Sequence, residues 1–195
     1  YGLTETAPIV SANPLEDNIP NSVGVPIRGV KVRIGDDDEL QVHGPGVMLG
    51  YWNNHAATAQ VIDHDGWLHT GDIAVEDEDG YISITGRIKD MVIRGGENIY
   101  PREIEEFLYQ HPSVQDVQVV GVPDPKYGEE LMAWVILKEG ETLVPEELRA
   151  YCKGKIAHHK IPRYVEFIEE YPMTASGKIQ KFKLREMSEE IAEKI

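Results

Sequence analysis

The chain has a single cysteine, Cys152, among 195 residues, so no internal disulfide can staple it. One thiol suits a reducing compartment, and the helical run Leu148-Arg149-Ala150-Tyr151-Cys152 marks it as a buried structural group rather than a nucleophile. Basic residues are scarce: 19 Lys and Arg face 34 Asp and Glu, a net charge of −15. That balance excludes general binding to nucleic acid or to an anionic membrane surface. No apolar run approaches the ~20 residues of a membrane span. There is no basic, apolar leader, and the first residue is Tyr1 rather than Met, which suggests a truncated chain. With no address to read, the expected location is cytoplasmic. Metal-ligand spacing is also missing. The pair His158-His159 points in two directions and has no Cys or His partner at ligand distance. The acidic clusters at residues 36–39, 76–79 and 103–106 read as solvated loops and helix faces.

What is present is ordinary for a globular protein: 41% hydrophobic and 27% charged residues, without repeats or low-complexity tracts. The first half is strands and turns. Val30 to Ile34 alternates, Gly35-Asp36-Asp37-Asp38 turns, and Glu39 to His43 alternates again, a hairpin pattern. Tyr81 to Thr85 is a half-buried strand after the Asp79-Gly80 turn. The second half mixes helices and strands. Pro101 suits a first helical position, with Asn98 as its cap and Ile104, Phe107 and Leu108 at helical spacing. Val114 to Val120 is a strand ending at Gly121-Val122-Pro123. Leu131 to Leu137 is a continuous apolar strand buried on both faces. Pro145 to Lys155 predicts a helix, Tyr164 to Ile168 a strand, and the tail from Lys181 an amphipathic helix. The fold class is α+β: a small β-rich subdomain over residues 1–88, then a hinge and a compact α+β domain over residues 89–195.

Four motifs stand in a fixed order. They are Tyr1-Gly2-Leu3-Thr4-Glu5-Thr6, Trp67-Leu68-His69-Thr70-Gly71-Asp72, Gly86-Arg87-Ile88-Lys89-Asp90 and Pro172-Met173-Thr174-Ala175-Ser176-Gly177-Lys178-Ile179. In this order they resemble the adenylate-forming superfamily of acyl-CoA synthetases, peptide-synthetase adenylation domains and firefly luciferase. The resemblance implies that residues 1–88 are the end of a large AMP-binding domain and residues 89–195 its mobile C-terminal domain. That family also carries a Gly/Ser/Thr-rich phosphate loop ending in Pro-Lys-Gly, and no such run exists here. A chain without it lacks the main anion cradle for a triphosphate, so the isolated chain is expected to be inactive.

The resemblance assigns roles residue by residue. Tyr1 offers an aromatic face to adenine, Thr4 a hydroxyl to a phosphate oxygen, and Glu5 a carboxylate to Mg²⁺, which prefers oxygen ligands. Asp72 takes the ribose hydroxyls, Gly71 letting the backbone come close; His69 beside it reads as structural. Arg87 lies on the ribose and phosphate side, and Lys89 at the hinge. Gly95 and Gly96 supply a thin backbone beside the pantetheine arm of CoA, with Tyr127 packed near it; a plain turn with a half-buried tyrosine is the alternative. Lys178 bridges the substrate carboxylate and the α-phosphate, neutralising charge in the transition state. The small domain delivers Lys178 for adenylation, then rotates to complete a thiol tunnel.

Gly46-Val47-Met48-Leu49-Gly50-Tyr51-Trp52 and residues 95–101 look most like acyl- and aryl-CoA ligases. The expected parent is a medium- or long-chain fatty acid–CoA ligase using ATP, Mg²⁺ and CoA, partnered by the missing N-terminal part of the same protein. The alternatives are a catalytically incompetent fragment or binding module, and part of an amino-acid or aryl adenylation enzyme.

Overall fold

A computed structural model describes residues 1–192; residues 193–195, the end of the helix expected from Lys181 onward, lie outside the described residues. The chain divides into two compact units, Tyr1–Lys89 and Asp90–Ile195.

The first unit is almost all β. Strands β1 (Ser11–Ala12) and β2 (Val25–Pro26) form a two-stranded antiparallel pair. Strands β3 (Lys31–Ile34) and β4 (Glu39–His43) form the expected hairpin, in register Val32 opposite Val42. A surface helix, α1 (His55–Val61), follows. It is capped by Asn54, whose side-chain oxygen accepts from the Ala57 N–H at 3.0 Å. It buries no residue, so it has no apolar stripe for a periodicity argument to find. Strands β5 (Leu68–Glu76) and β6 (Ile82–Arg87) complete a four-stranded antiparallel sheet in sequence order. Leu40, Val42, Ala74 and Ile82 close its core with Val10. Nothing in the apolar spacing of Thr70-Gly71-Asp72 predicts a strand, because glycine is depleted there. The sheet accepts it through irregular register: pairing shifts between Glu39 and Gln41 on one side of β5 and between Ile73 and Ala74 on the other.

The second unit is built on a central strand. Strands β7 (Val92–Arg94) and β8 (Glu97–Ile99) form a tight hairpin, followed by helix α2 (Pro101–Leu108) and the long strands β9 (Val114–Asp124) and β10 (Gly128–Leu137). Helix α3 (Pro145–Cys152), strand β11 (Tyr164–Phe167) and helix α4 (Lys181–Ala192) complete it. Strand β10 pairs with β9 on one edge and with β7 and then β11 on the other; the β11 pairing is parallel. Leu131, Ala133 and Val135 face a core shared with Ile104 and Leu108 of α2 and Leu148 and Cys152 of α3. Met132 and Trp134 face the other core, with Leu184 of α4. Helices on both faces are why β10 is continuously apolar from Leu131 to Leu137 rather than alternating.

Four expectations need correction. The acidic clusters are not wholly solvated, since Glu39 and Glu105 are each 8% exposed. Strand β9 does not stop at Gly121-Val122-Pro123 but continues to Asp124, Pro123 pairing opposite Glu129. Helix α3 ends at Cys152, not Lys155, because Lys153 leaves helical geometry and Gly154 takes φ +73°. Asn98 caps nothing: it lies in β8, the residue before Pro101 is Tyr100, and no side chain caps α2. The Gly95-Gly96 pair is the two-residue turn of the β7–β8 hairpin, with φ +61° and +89°, the positive values such tight turns require.

Candidate active site

A cleft of about 460 Å³ lies in the first unit, lined by Leu3, Thr70, Gly71, Asp72, Arg87, Ile88 and Lys89. Asp72 sits on β5, directly across from Arg87 on β6. Asp72 is 6% exposed, and its carboxylate is held from two sides. The Tyr1 hydroxyl donates to Oδ2 at 2.5 Å, and Arg87 Nε donates to Oδ1 at 3.1 Å. Each oxygen keeps a second lone pair, so the group can still accept two hydroxyls from a vicinal diol. Burial, with the Asp72 hydrogen bond adding to it, pushes the Tyr1 phenol above the ordinary tyrosine range, and Tyr1 stays a donor. Its ring packs against the core of Val10 and Leu40. Tyr1 therefore anchors Asp72 as well as presenting an aromatic body, a role the motif alone does not reveal.

Thr4 and Glu5 lie in a 3₁₀ turn over Thr4–Thr6, closed by Ala7 in the left-handed region at φ 53°. Two glycines shape it from outside. A Cβ on Gly2 would sit 1.7 Å from the Pro8 carbonyl oxygen, and one on Gly46 would sit 2.6 Å from that of Thr6. The backbone carbonyl of Glu5 accepts from the Met48 N–H at 2.8 Å, and its Oε1 accepts from the Tyr51 hydroxyl at 3.1 Å. Burial, with the Glu5 bond adding, raises the Tyr51 pKa. Among the described residues no group of three or more His, Cys, Asp or Glu side chains could hold a metal alone. One Glu5 oxygen suits a Mg²⁺ whose other ligands are phosphate oxygens and water, the usual mode for that ion.

The remaining candidates lie in the second unit. Gly95 donates its N–H to the Tyr127 carbonyl at 2.8 Å, and a Cβ on Gly95 would press the Tyr127 ring at 3.3 Å. The structure thus joins Gly95 and Tyr127 in one patch. The ring is already flanked by cations, with the Arg94 guanidinium 4.4 Å and the Lys126 ammonium 4.8 Å from its centroid. Lys178 follows a separate turn. Thr174 donates its N–H to the Lys178 carbonyl at 2.8 Å and accepts the Lys178 N–H on its hydroxyl at 3.0 Å; Gly177 has φ +79°. That turn leaves the Lys178 side chain in solvent. Tyr1, Asp72 and Arg87 are hydrogen-bonded together, whereas Lys178 and the Gly95–Tyr127 patch belong to the other unit.

Sequence reasoning passes over several groups that build the site. Glu39, 8% exposed, accepts from the Gly71 N–H, and the Thr70 hydroxyl donates to the Leu40 carbonyl at 2.6 Å. The available signal is that Glu39 and Gln41 share the strand face opposite Leu40 and Val42. Buried acids on a strand invite a partner, and the alternation does not name it. Cys152 is buried, and burial pushes its thiol up to about 11, as an inert structural group requires.

Residues 1–52 match the model of the AMP-binding enzyme family, and residues 103–178 match that of the AMP-binding enzyme C-terminal domain. YngI of Bacillus subtilis (strain 168), an acyl-CoA synthetase by name, is 58% identical over 205 residues, covering 98% of this chain and 37% of that protein. The mitochondrial medium-chain acyl-CoA ligase ACSF2 of Bos taurus is 50% identical over 204 residues, covering 97% of this chain and 33% of that protein. Among solved structures, ATP-bound MatB from Rhodopseudomonas palustris superimposes with a TM-score of 0.93 at 36% identity, covering 98% of this chain and 40% of that one. The chain thus spans 33% to 40% of the length of these three relatives.

Proposed function

The chain belongs to the adenylate-forming superfamily of AMP-binding enzymes, whose C-terminal domain it carries, and on that premise we propose that it is the C-terminal portion of an ATP-dependent fatty acid–CoA ligase. The parent enzyme activates a carboxylate as acyl-AMP with release of pyrophosphate, then passes the acyl group to the thiol of CoA with release of AMP. Asp72 receives the ribose diol, Arg87 steadies that carboxylate on the phosphate side, and the Tyr1 ring carries adenine. Glu5 would hold Mg²⁺ through one carboxylate oxygen, and the ion would supply charge neutralisation at the phosphates. Thr4 donates to a phosphate oxygen. Lys178 bridges the attacking carboxylate and the α-phosphate, where positive charge lowers the barrier most. Gly95, Gly96 and Tyr127 border the pantetheine arm. Residues 1–88 end the large domain, residues 89–195 form the mobile one, and Lys89 is the hinge. A cytoplasmic setting is supported by the single buried thiol.

The observation that carries this reading is the buried Asp72 carboxylate, held by Tyr1 and Arg87 at the edge of a cleft with lone pairs to spare. The medium-chain ligase among the relatives supports a fatty acyl substrate. No Gly/Ser/Thr-rich run ending in Pro-Lys-Gly occurs in the 195 residues, so the chain alone lacks the triphosphate cradle. The test is AMP release in Mg-ATP, octanoate and CoA. The enzyme completed by the N-terminal region forms AMP and octanoyl-CoA one for one, and the chain alone forms neither. Carboxylate-dependent AMP from the chain alone would overturn this account of the site.

A further inference from the structure

We propose that Glu39 is a positioning residue for the nucleotide ribose, acting on Asp72 through the backbone of Gly71; the inference rests on the ribose-binding reading of Asp72. The sheet has a gap beside β5. Strand β4 pairs with β5 at Glu39 opposite Ile73 and at Gln41 opposite His69, so one residue of β4 faces three of β5. Residues 70–72 have no regular ladder partner there, and a half-buried N–H left without an acceptor is unfavourable. The Glu39 side chain fills the gap: Oε1 accepts from the Gly71 N–H at 2.9 Å. Its other oxygen lies 2.6 Å from His69 Nδ1 and accepts from Gln41 Nε2 at 3.5 Å. Gln41 is in turn held by Arg33, whose Nε donates to Gln41 Oε1 at 2.6 Å. Arg33, Gln41 and His69 are direct cross-strand neighbours, so one polar row across three strands orients the carboxylate.

The effect falls on Asp72. Gly71 has φ +71°, and a Cβ there would meet nothing within 4 Å. The glycine is therefore needed for its backbone angle and not for space. That angle sets the direction in which Asp72 leaves the strand. The Thr70 hydroxyl also pins it, accepting the Asp72 N–H at 3.1 Å. A buried carboxylate is costly to desolvate, and its charge-assisted bond to the Gly71 N–H is the strong form of that contact. The stiffness is bought where a diol must meet both Asp72 oxygens at once.

The test compares adenosine with 2′,3′-dideoxyadenosine, which lacks the diol, by NMR titration of the 195-residue chain. The wild type should prefer adenosine by about tenfold, the worth of hydrogen bonds to a charged acceptor. Asp72→Asn should abolish that preference. Glu39→Gln, which keeps the shape but weakens the hold, should cut it to roughly threefold or less while leaving dideoxyadenosine affinity unchanged. Equal weakening for both nucleosides would make Glu39 merely structural and overturn the proposal. Loss in Asp72→Asn with full preference in Glu39→Gln would overturn it while sparing the ribose reading. No preference in the wild type would remove both. Should Glu39→Gln fail to fold, His69→Ala, which strips one contact from Glu39, must still narrow the preference; an unchanged ratio overturns the proposal.

Discussion

His111 stands edge-on to the Tyr151 ring, centroids 4.7 Å apart, with the Lys155 ammonium 3.6 Å from the same ring. Burial first, then Lys155 and Lys138, lower its pKa against the opposing pull of Glu147 and Glu141. Its Nδ1 accepts the Ser113 N–H at 3.2 Å, a bond that protonation there would break. The folded state thus holds His111 neutral, with a pKa below the unfolded value of about 6.5. Above that pH both states are neutral and nothing is lost. As pH falls through about 6.5 the unfolded chain takes up the proton first, and stability declines until the folded group titrates too. His111→Gln should remove this part of the acid loss, so its urea midpoint should fall less than the wild type's between about pH 7.5 and 5. Parallel profiles would show that His111 is not coupled to folding. At Lys178 the expected effect is on catalysis. In the completed enzyme Lys178→Ala should slow acyl-AMP formation by roughly 10²–10³, about 3–4 kcal/mol, and leave thioester formation from supplied acyl-AMP unchanged. Equal loss in both steps would contradict a lysine used in one half-reaction only.

Between elements, a bidentate ion pair in the second unit joins β7 to β10. Arg94 donates from Nε to Glu130 Oε1 at 2.6 Å and from Nη2 to Oε2 at 2.9 Å, a bidentate pair. Glu130 is 1% exposed, and its bond raises the Arg94 pKa. The only ladder pairing between these strands is Gly128 opposite Arg94, so this ion pair carries much of the join. Arg94→Met should leave a buried unpaired carboxylate and cost about 3–5 kcal/mol in urea unfolding of this unit. Adding Glu130→Leu should recover most of it, since an apolar pair of similar volume removes the stranded charge. A single mutant as stable as wild type would show that Glu130 finds water or another cation. The β7–β8 hairpin was legible in part: Gly95-Gly96 signals a tight turn, but strands of three residues offer too little alternation to be called from spacing. Strand β5 was hidden for the opposite reason, since its motif breaks the alternation that its sheet tolerates.

For the whole molecule, the boundary between the two units falls between Lys89 and Asp90, inside the 3₁₀ turn Ile88–Asp90. Proline fixes φ near −65° and removes an N–H. If the second unit moves between half-reactions, Lys89→Pro in the completed enzyme should slow thioester formation several-fold more than adenylation. The two rates, measured separately from ATP and from supplied acyl-AMP, check it; equal effects would take Lys89 out of the hinge role.

The amino-acid sequence by itself determined the four motifs, their order, the superfamily, and the change from β-rich to mixed structure near residue 88, because these depend on residue type and local period. Tertiary structure alone decided which groups meet. The Tyr1 hydroxyl and Arg87 converge on Asp72 from residues 71 and 15 positions away. Glu39 reaches Gly71 across 32 positions because a register shift in the sheet opens the place for it. Those contacts depend on strand pairing at a distance, and hydrophobic spacing along the chain carries no record of a bulge.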